Sequence, residues 1–230
     1  MKRKLLIVEL AGPAGVGKTT IRNALTKSHA TMQFAPLPQI RELQNLPFFL
    51  WNFTLLLPVL FALYLDQKQK SFTIPFLARL AILNGWSVKL NALRRSDISV
   101  LILDQGPVYL LAELLRHGPP NFRGTVPAWW DRVCKAWANT LDIVICLDSP
   151  DAILLQRNRT REKNHGIKQN ADDWATPFLA ESRKAQSEVL KSMVVKPEKV
   201  KFLEIDTSQS SLRELVQKIT CLLDEEKKRT

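Results

Sequence analysis

The stretch that most constrains this chain lies within its first thirty residues. Leu5-Leu6-Ile7-Val8-Glu9-Leu10 reads as a short apolar strand, GPAGVGKT runs from Gly12 to Thr19, and TIRNALTKS follows with helical character. This is the full G-x-x-x-x-G-K-[ST] pattern in its strand–loop–helix setting. A helix N-terminus leaves backbone N–H groups without partners and carries partial positive charge. Several such groups turned into one concavity bind an anion. Gly12, Gly15 and Gly17 allow the tight backbone path, with Ala14 and Val16 between them. Lys18 brings a full charge to the β- and γ-phosphates, Thr19 offers a hydroxyl to an accompanying Mg²⁺, and Thr20 opens the helix beside them. ATP and Mg²⁺ are the expected ligands. A glycine-rich turn that matches by chance is the bland alternative, and the flanking strand and helix argue against it.

Bulk properties narrow the setting. The chain has 230 residues, 46% apolar and 24% charged, enough to bury a substantial core, and one domain is the default. The net charge of +11 suits a protein that handles polyanions, ATP among them. Nucleic acid or an anionic membrane surface would suit it too. The charge is spread in small clusters such as Lys2-Arg3-Lys4 and Lys227-Lys228-Arg229, and no nucleic-acid partner is expected. Cys134, Cys146 and Cys221 show neither metal spacing nor an even framework, which predicts a reducing, cytoplasmic compartment. The N-terminus mimics a signal peptide, but its apolar stretch is short, contains Glu9 and runs into the phosphate loop, so export is rejected.

Apolar runs at residues 5–10, 100–103, 143–147 and 200–205 predict buried strands, with a weaker candidate at 32–35. Helical character lies at 19–28, 76–95, 108–116, 128–139, 151–162, 171–193 and 211–225. Strands alternating with helices predict a mainly parallel, five-stranded sheet covered on both faces, an α/β fold of three αβα layers. In such sheets ligands bind at the carboxyl ends of strands.

Two further groups of residues fall there. SVLILDQGP (residues 99–107) delivers Asp104 to the end of a buried strand, which Gly106 and Pro107 break. In a phosphate-loop protein an acid at that position holds Mg²⁺ or its waters, or orients the attacking hydroxyl. The alternative is a capping aspartate for the next helix. Asp148 ends the following strand in ICLDSPD and reads as a residue of the N-cap region before the Asp151 helix. Next comes RNRTREKNHG, in which Arg157, Arg159, Arg161 and Lys163 concentrate positive charge. On a helix Arg157 and Arg161 share a face. Arginines closing over a transferring phosphoryl group stabilise its spreading charge, and a closing flap excludes water. A solvated basic helix face is the alternative, and His165 reads as a loop histidine.

GPAGVGKTT, LILDQGP, LDSPDAILLQRNRTRE and FLEIDTSQSS, in this order and spacing, resemble the nucleoside and nucleotide kinase group of phosphate-loop proteins, nearest to thymidylate kinases and their relatives. The resemblance implies ATP-dependent phosphoryl transfer to a small-molecule acceptor. It makes Lys18, Asp104, Arg157 and Arg161 the catalytic candidates, and Thr19 and Asp104 the metal ligands. It sets Arg159, Asp206 and Thr207 on the nucleotide, with Ser208 in the same adenine-side loop. Gln105 stands where the group usually has arginine. A Gln cannot clamp phosphate as a cation, so that role is lost or moves to the flap. Arg41, Arg79 and Gln105 are the acceptor-side candidates, and the acceptor itself stays open.

Residues 46–65, LPFFLWNFTLLLPVLFALYL, contain no charge and are long enough to span a bilayer. A single span would separate the phosphate loop from Asp104. The remaining readings are a hairpin kinked near Pro58, a buried core helix, a subunit interface of a homodimer, or an apolar acceptor pocket or peripheral membrane contact. Residues 40–95 are read as a helical acceptor-side insert and 156–170 as the basic flap. Trp129, Trp130 and Trp137 are expected in the core, and Trp174 and Phe178, one turn apart, are expected to pack together. Two rivals to a kinase are an ATP-binding switch protein and a membrane-associated binding protein that uses ATP only structurally; within the kinase class, the alternative is a kinase of a lipid-like alcohol at a membrane surface. No N-K-x-D base motif of guanine-selective switches appears.

Overall fold

Strand alternation builds two cores. In β1 (Leu6–Ala11), Ile7 and Ala11 enter one buried cluster while Leu6, Val8 and Leu10 enter another. The same two-residue period divides β3 (Val100–Leu103) and β4 (Ile143–Asp148). With β2 (Met32–Phe34) and β5 (Lys201–Asp206) they form a five-stranded sheet in the order β2-β3-β1-β4-β5, every pairing parallel. The structure is a computed structural model that describes residues 5–66, 72–93, 98–160, 172–194 and 200–229.

Helices α1 (Lys18–Ser28) and α9 (Leu212–Arg229) cover one face through Ile21, Leu25, Leu215, Ile219 and Leu223. The other face is covered by α3 (Ile74–Ala92), α4 (Pro107–His117) and α6 (Pro127–Thr140), with a four-residue helix α5 (Phe122–Thr125) ahead of α6. Trp129, Trp130 and Trp137 are buried here, and the Trp137 indole donates to the Leu83 carbonyl at 2.9 Å. After β4 come α7 (Asp151–Arg159) and α8 (Asp172–Met193). The first half of α8 packs Ala175 and Leu179 into one core, and its second half packs Ala185, Val189 and Met193 into the other. Trp174 and Phe178 stack with ring centroids 4.9 Å apart. The three-layer αβα architecture expected from the alternation is therefore the observed one.

The apolar segment departs from two of its readings. It forms one helix, α2 (Leu46–Asp66), that runs unbroken through Pro58, so it is no hairpin. It is no core helix either: only 28% of its most apolar window is buried. Phe49, Asn52, Leu56 and Leu63 face inward, while Trp51 and Leu65 are each 67% exposed and Phe61 63% exposed. A uniformly apolar helix carries no periodic signal to say which face the protein covers. A span through α2 alone is also incompatible with the sheet, because β2 and β3 are hydrogen-bonded neighbours although α2 and α3 lie between them in the chain.

Candidate active site

Gly12, Gly15 and Gly17 all adopt positive φ (142°, 87° and 97°), and α1 begins immediately afterwards at Lys18. The Lys18 ammonium lies 2.6 Å from the Gly12 carbonyl oxygen and 3.0 Å from that of Pro13, across the mouth of the loop. Two side chains hold the loop from outside. Asn158 of α7, fully buried, donates to the Ala14 carbonyl at 3.0 Å, and Gln186 of α8 donates to the Gly12 carbonyl at 3.2 Å. Asn158 fits only because residue 15 is glycine: a Cβ there would lie 2.3 Å from its amide nitrogen.

Pairing of β1 with β3 brings Asp104 beside the loop. One oxygen of this nearly buried carboxylate accepts from the Thr19 hydroxyl at 3.3 Å and from the Arg22 guanidinium at 2.8 Å. Arg22 was not among the sequence candidates. It stands four residues after Lys18 on the same helix, so the spacing was there to be read. Its guanidinium also lies 4.0 Å from the centroid of the Phe34 ring. The Thr19 hydroxyl and Asp104 carboxylate are hard oxygen donors of the kind Mg²⁺ takes, and such ions complete their octahedra with water and substrate phosphates. Among the described residues there is no cluster of three or more His, Cys, Asp or Glu side chains for a metal.

Glu9 is a second residue that sequence reasoning used only as a polar interruption. It points into the core from β1, fully buried, and its two oxygens accept from the backbone N–H groups of Val108 and Tyr109, each at 3.0 Å. It therefore ties the strand that feeds the phosphate loop to the first turn of α4. Gly106 makes room, since a Cβ there would meet the Glu9 carboxyl at 2.5 Å. Burial pushes the Glu9 carboxyl up to about 7, against the opposing pull of the Val108 and Tyr109 N–H groups and the Lys18 charge.

Of the hollows that border the loop, two flank α1. A pocket of about 280 Å³ is bounded by Gly15, Gly17, Thr20, Arg157, Thr207 and Leu215. Within it Arg157 donates through both terminal nitrogens to the hydroxyl and carbonyl of Thr207, each at 2.9 Å. A cleft of about 260 Å³ lies on the other side, between α4 and α8. It is lined by Gly12, Lys18, Thr19, Asp104 and Gln105, then by Tyr109, Glu113, Arg116 and His117 of α4 and Phe178, Ser182 and Gln186 of α8. Their spacings place each set along one helix face.

The remaining candidates divide. Gln105 is exposed at the cleft. Arg79 does not line the cleft but donates to Glu113, which does, at 3.1 Å. Arg41 is exposed ahead of α2 and lies outside the cleft. Arg157 sits in the Thr207 pocket rather than facing Asp104. Arg159 is exposed at the end of α7, and Arg161 and His165 lie outside the described residues. Asp206 is exposed, its pKa lowered by hydrogen bonds from Ser208. Asp148 does not cap α7: with Asp151 it grips Arg183 of α8, at 3.0 and 2.6 Å. No residue of α2 is among those lining the cleft.

No protein-family model matches the sequence, and a search of curated proteins gave no match. Solved structures do. The chain is similar to deoxyadenosine kinase from M. mycoides with bound dATP, at 16% identity and TM-score 0.55, covering 95% of this chain and 100% of that one. It is also similar to the same enzyme with products dCMP and a flexible dCDP bound, at 17% identity and TM-score 0.54, over 96% and 100% of the two chains. The form with bound dCTP matches at 14% identity and TM-score 0.54, with the same coverage. At these identities the likeness is one of fold: the chain shares the architecture of these phosphate-loop kinases along nearly its whole length.

Proposed function

We propose that this protein is an ATP-dependent small-molecule kinase. It transfers the γ-phosphoryl group of ATP to a nucleoside, nucleotide or other metabolite. The observation that carries the reading is the convergence of Lys18, Thr19 and Asp104 on one rim, with a closed-in cleft leading away from it. In this reading the triphosphate lies in the loop of residues 12–20, under Gly12, Ala14, Gly15, Val16, Gly17 and Thr20. The base sits toward Arg157, Arg159, Thr207 and Asp206.

Mg²⁺, held by Thr19 and Asp104 together with phosphate oxygens, would neutralise charge on the transferring group. Lys18 stabilises the charge that moves to the β–γ bridging oxygen as that bond breaks. The acceptor hydroxyl enters from the α4–α8 cleft, and Asp104 orients it; its proton leaves to that carboxylate or to solvent. Arg157 and the flap arginine Arg161 contribute positive charge to the closed site. Gln105 and Arg79 belong to the acceptor side, and Arg22 brings to Asp104 a guanidinium that Gln105 cannot supply. Residues 1–230 act as one domain, with 40–95 as the acceptor-side insert and 156–170 as the flap. The free Cys134, Cys146 and Cys221 support a reducing, cytoplasmic setting.

The test is a mass-spectrometric screen with ATP over nucleosides, nucleoside monophosphates, sugars and isoprenoid alcohols. A kinase gives acceptor-dependent ADP and a phosphorylated product. Slow, acceptor-independent hydrolysis with a protein partner that tracks nucleotide state defeats the enzyme reading in favour of a switch. The exposed face of α2 suits a contact surface, for a second copy of the chain or for a membrane, and liposome flotation beside sedimentation separates the two.

A further inference from the structure

Arg116 is buried without being satisfied. Its side chain is 7% exposed, and its Nη1 donates to Glu113 Oε1 at 3.2 Å. Its guanidinium carbon lies 4.2 Å from the centroid of the Phe178 ring. Yet Nε and Nη2 are shielded from solvent and have no hydrogen-bond partner among the described residues. A buried ionised donor left unpaired is costly, and native structures rarely keep one without a use.

The carboxylate that could have satisfied it is shared. Glu113 Oε2 accepts from Arg79 Nη2 at 3.1 Å, so two guanidiniums lean on one carboxylate, with His117 Nε2 a further 3.8 Å from Oε1. The cluster therefore carries excess positive charge where the cleft is walled by protein. Tyr109, one turn away on the same face, adds no negative charge, because burial and the Glu113 carboxylate push its phenol pKa up. Arg116 and Tyr109 line the same cleft as Lys18, Thr19 and Asp104.

We infer that the α4–α8 side of this cleft is an oxyanion subsite, in which Arg116, flanked by Arg79 through Glu113, takes a phosphomonoester or carboxylate group of the molecule bound there. A guanidinium's planar fork meets either group with two parallel hydrogen bonds; the unpartnered Nε and Nη2 form one such edge, and because both are shielded as placed, the anion engages them as the side chain turns into the cleft that it lines. Taking that molecule to be the phosphoryl acceptor rests on the kinase reading, and it makes the acceptor an anion before phosphorylation. The anion binds at Arg116 while its hydroxyl faces Asp104.

The experiment is calorimetric titration of the full chain with the phosphate loop filled by Mg²⁺ and a non-hydrolysable ATP analogue, so that probes cannot occupy the loop. Ribose 5-phosphate, ribonate and ribose separate phosphomonoester, carboxylate and neutral ligands. Thymidine and adenosine with their 5′-monophosphates form a second set. At least one anionic probe is expected to bind ten-fold or more tightly than its neutral counterpart. Arg116→Gln should weaken that probe by about 30-fold or more, with binding of the ATP analogue retained. Glu113→Gln should strengthen it by removing the competing carboxylate.

No preference for anions in the wild type, or a preference that survives Arg116→Gln, overturns the subsite. If Arg116→Gln fails to bind the analogue, Glu113→Gln decides, and an unchanged or weakened preference overturns it. Arg116-dependent binding with no turnover of any acceptor keeps the subsite and defeats the kinase. Turnover of neutral acceptors with no anion preference does the reverse.

Discussion

Arg22 and Thr19 share one oxygen of Asp104, at 2.8 Å and 3.3 Å. The carboxylate is thus fixed from helix α1, the same helix that begins with Lys18. Asp104→Asn keeps the shape and an acceptor oxygen but removes the charge. Turnover is expected to fall by about 100-fold or more while ATP affinity changes only a few-fold. Steady-state kinetics beside ATP titration checks this, and an Asn variant with normal turnover removes Asp104 from the chemistry.

Lys18→Ala deletes the charge that crosses the loop mouth. A ligand at 100 times its dissociation constant stabilises a folded chain by about 2.7 kcal/mol. The wild type should therefore show a clear rise in melting temperature with MgATP, and the variant should show none. An undiminished rise would place ATP elsewhere.

Asn158→Ala tests the outer support of the loop. The variant strips the Ala14 and Leu154 carbonyls of a buried donor that lies 3.0 and 2.8 Å from them. The expected loss is about 1–3 kcal/mol in urea unfolding, with weaker ATP binding in the same variant. Loss of stability with unchanged ATP affinity would mean that the amide braces only α7.

Glu9 gives a pH signature. Its carboxyl sits at about 7 in the folded chain against 4.5 in the unfolded one. The folded state keeps a proton that the unfolded chain has released, so stability declines as pH rises from 4.5 toward 7 and levels off above. The decline attributable to Glu9 is roughly 3 kcal/mol, and Glu9→Gln should flatten it. Equal pH slopes in the wild type and the variant would show that the carboxyl titrates normally.

Much of this was legible in the sequence, and the gaps have physical reasons. Each predicted strand forms within a residue or so of its expected ends, because short continuous apolar runs bounded by Gly, Pro and Asp leave few alternatives. The loop and Asp104 were read from motif and strand end together. Asn158, Gln186 and Arg116 are not legible because each acts across a tertiary contact on a helix whose own pattern only says that the residue is polar, whereas the spacing of Arg22 from Lys18 is a signal that the sequence carries. In the sequence Glu9 is only a polar interruption of an apolar run. Its purpose shows only once the start of α4, about a hundred residues later in the chain, is folded against it.

The open side of α2 has a colloidal consequence. A wide oily stripe in water draws molecules together, and on a chain of net charge +11 mutual repulsion opposes that pull. The repulsion reaches about 10 Å at 0.1 M salt and only about 3 Å at 1 M. Added electrolyte should therefore lower solubility rather than raise it, and light scattering across a salt series should show particle size growing with ionic strength.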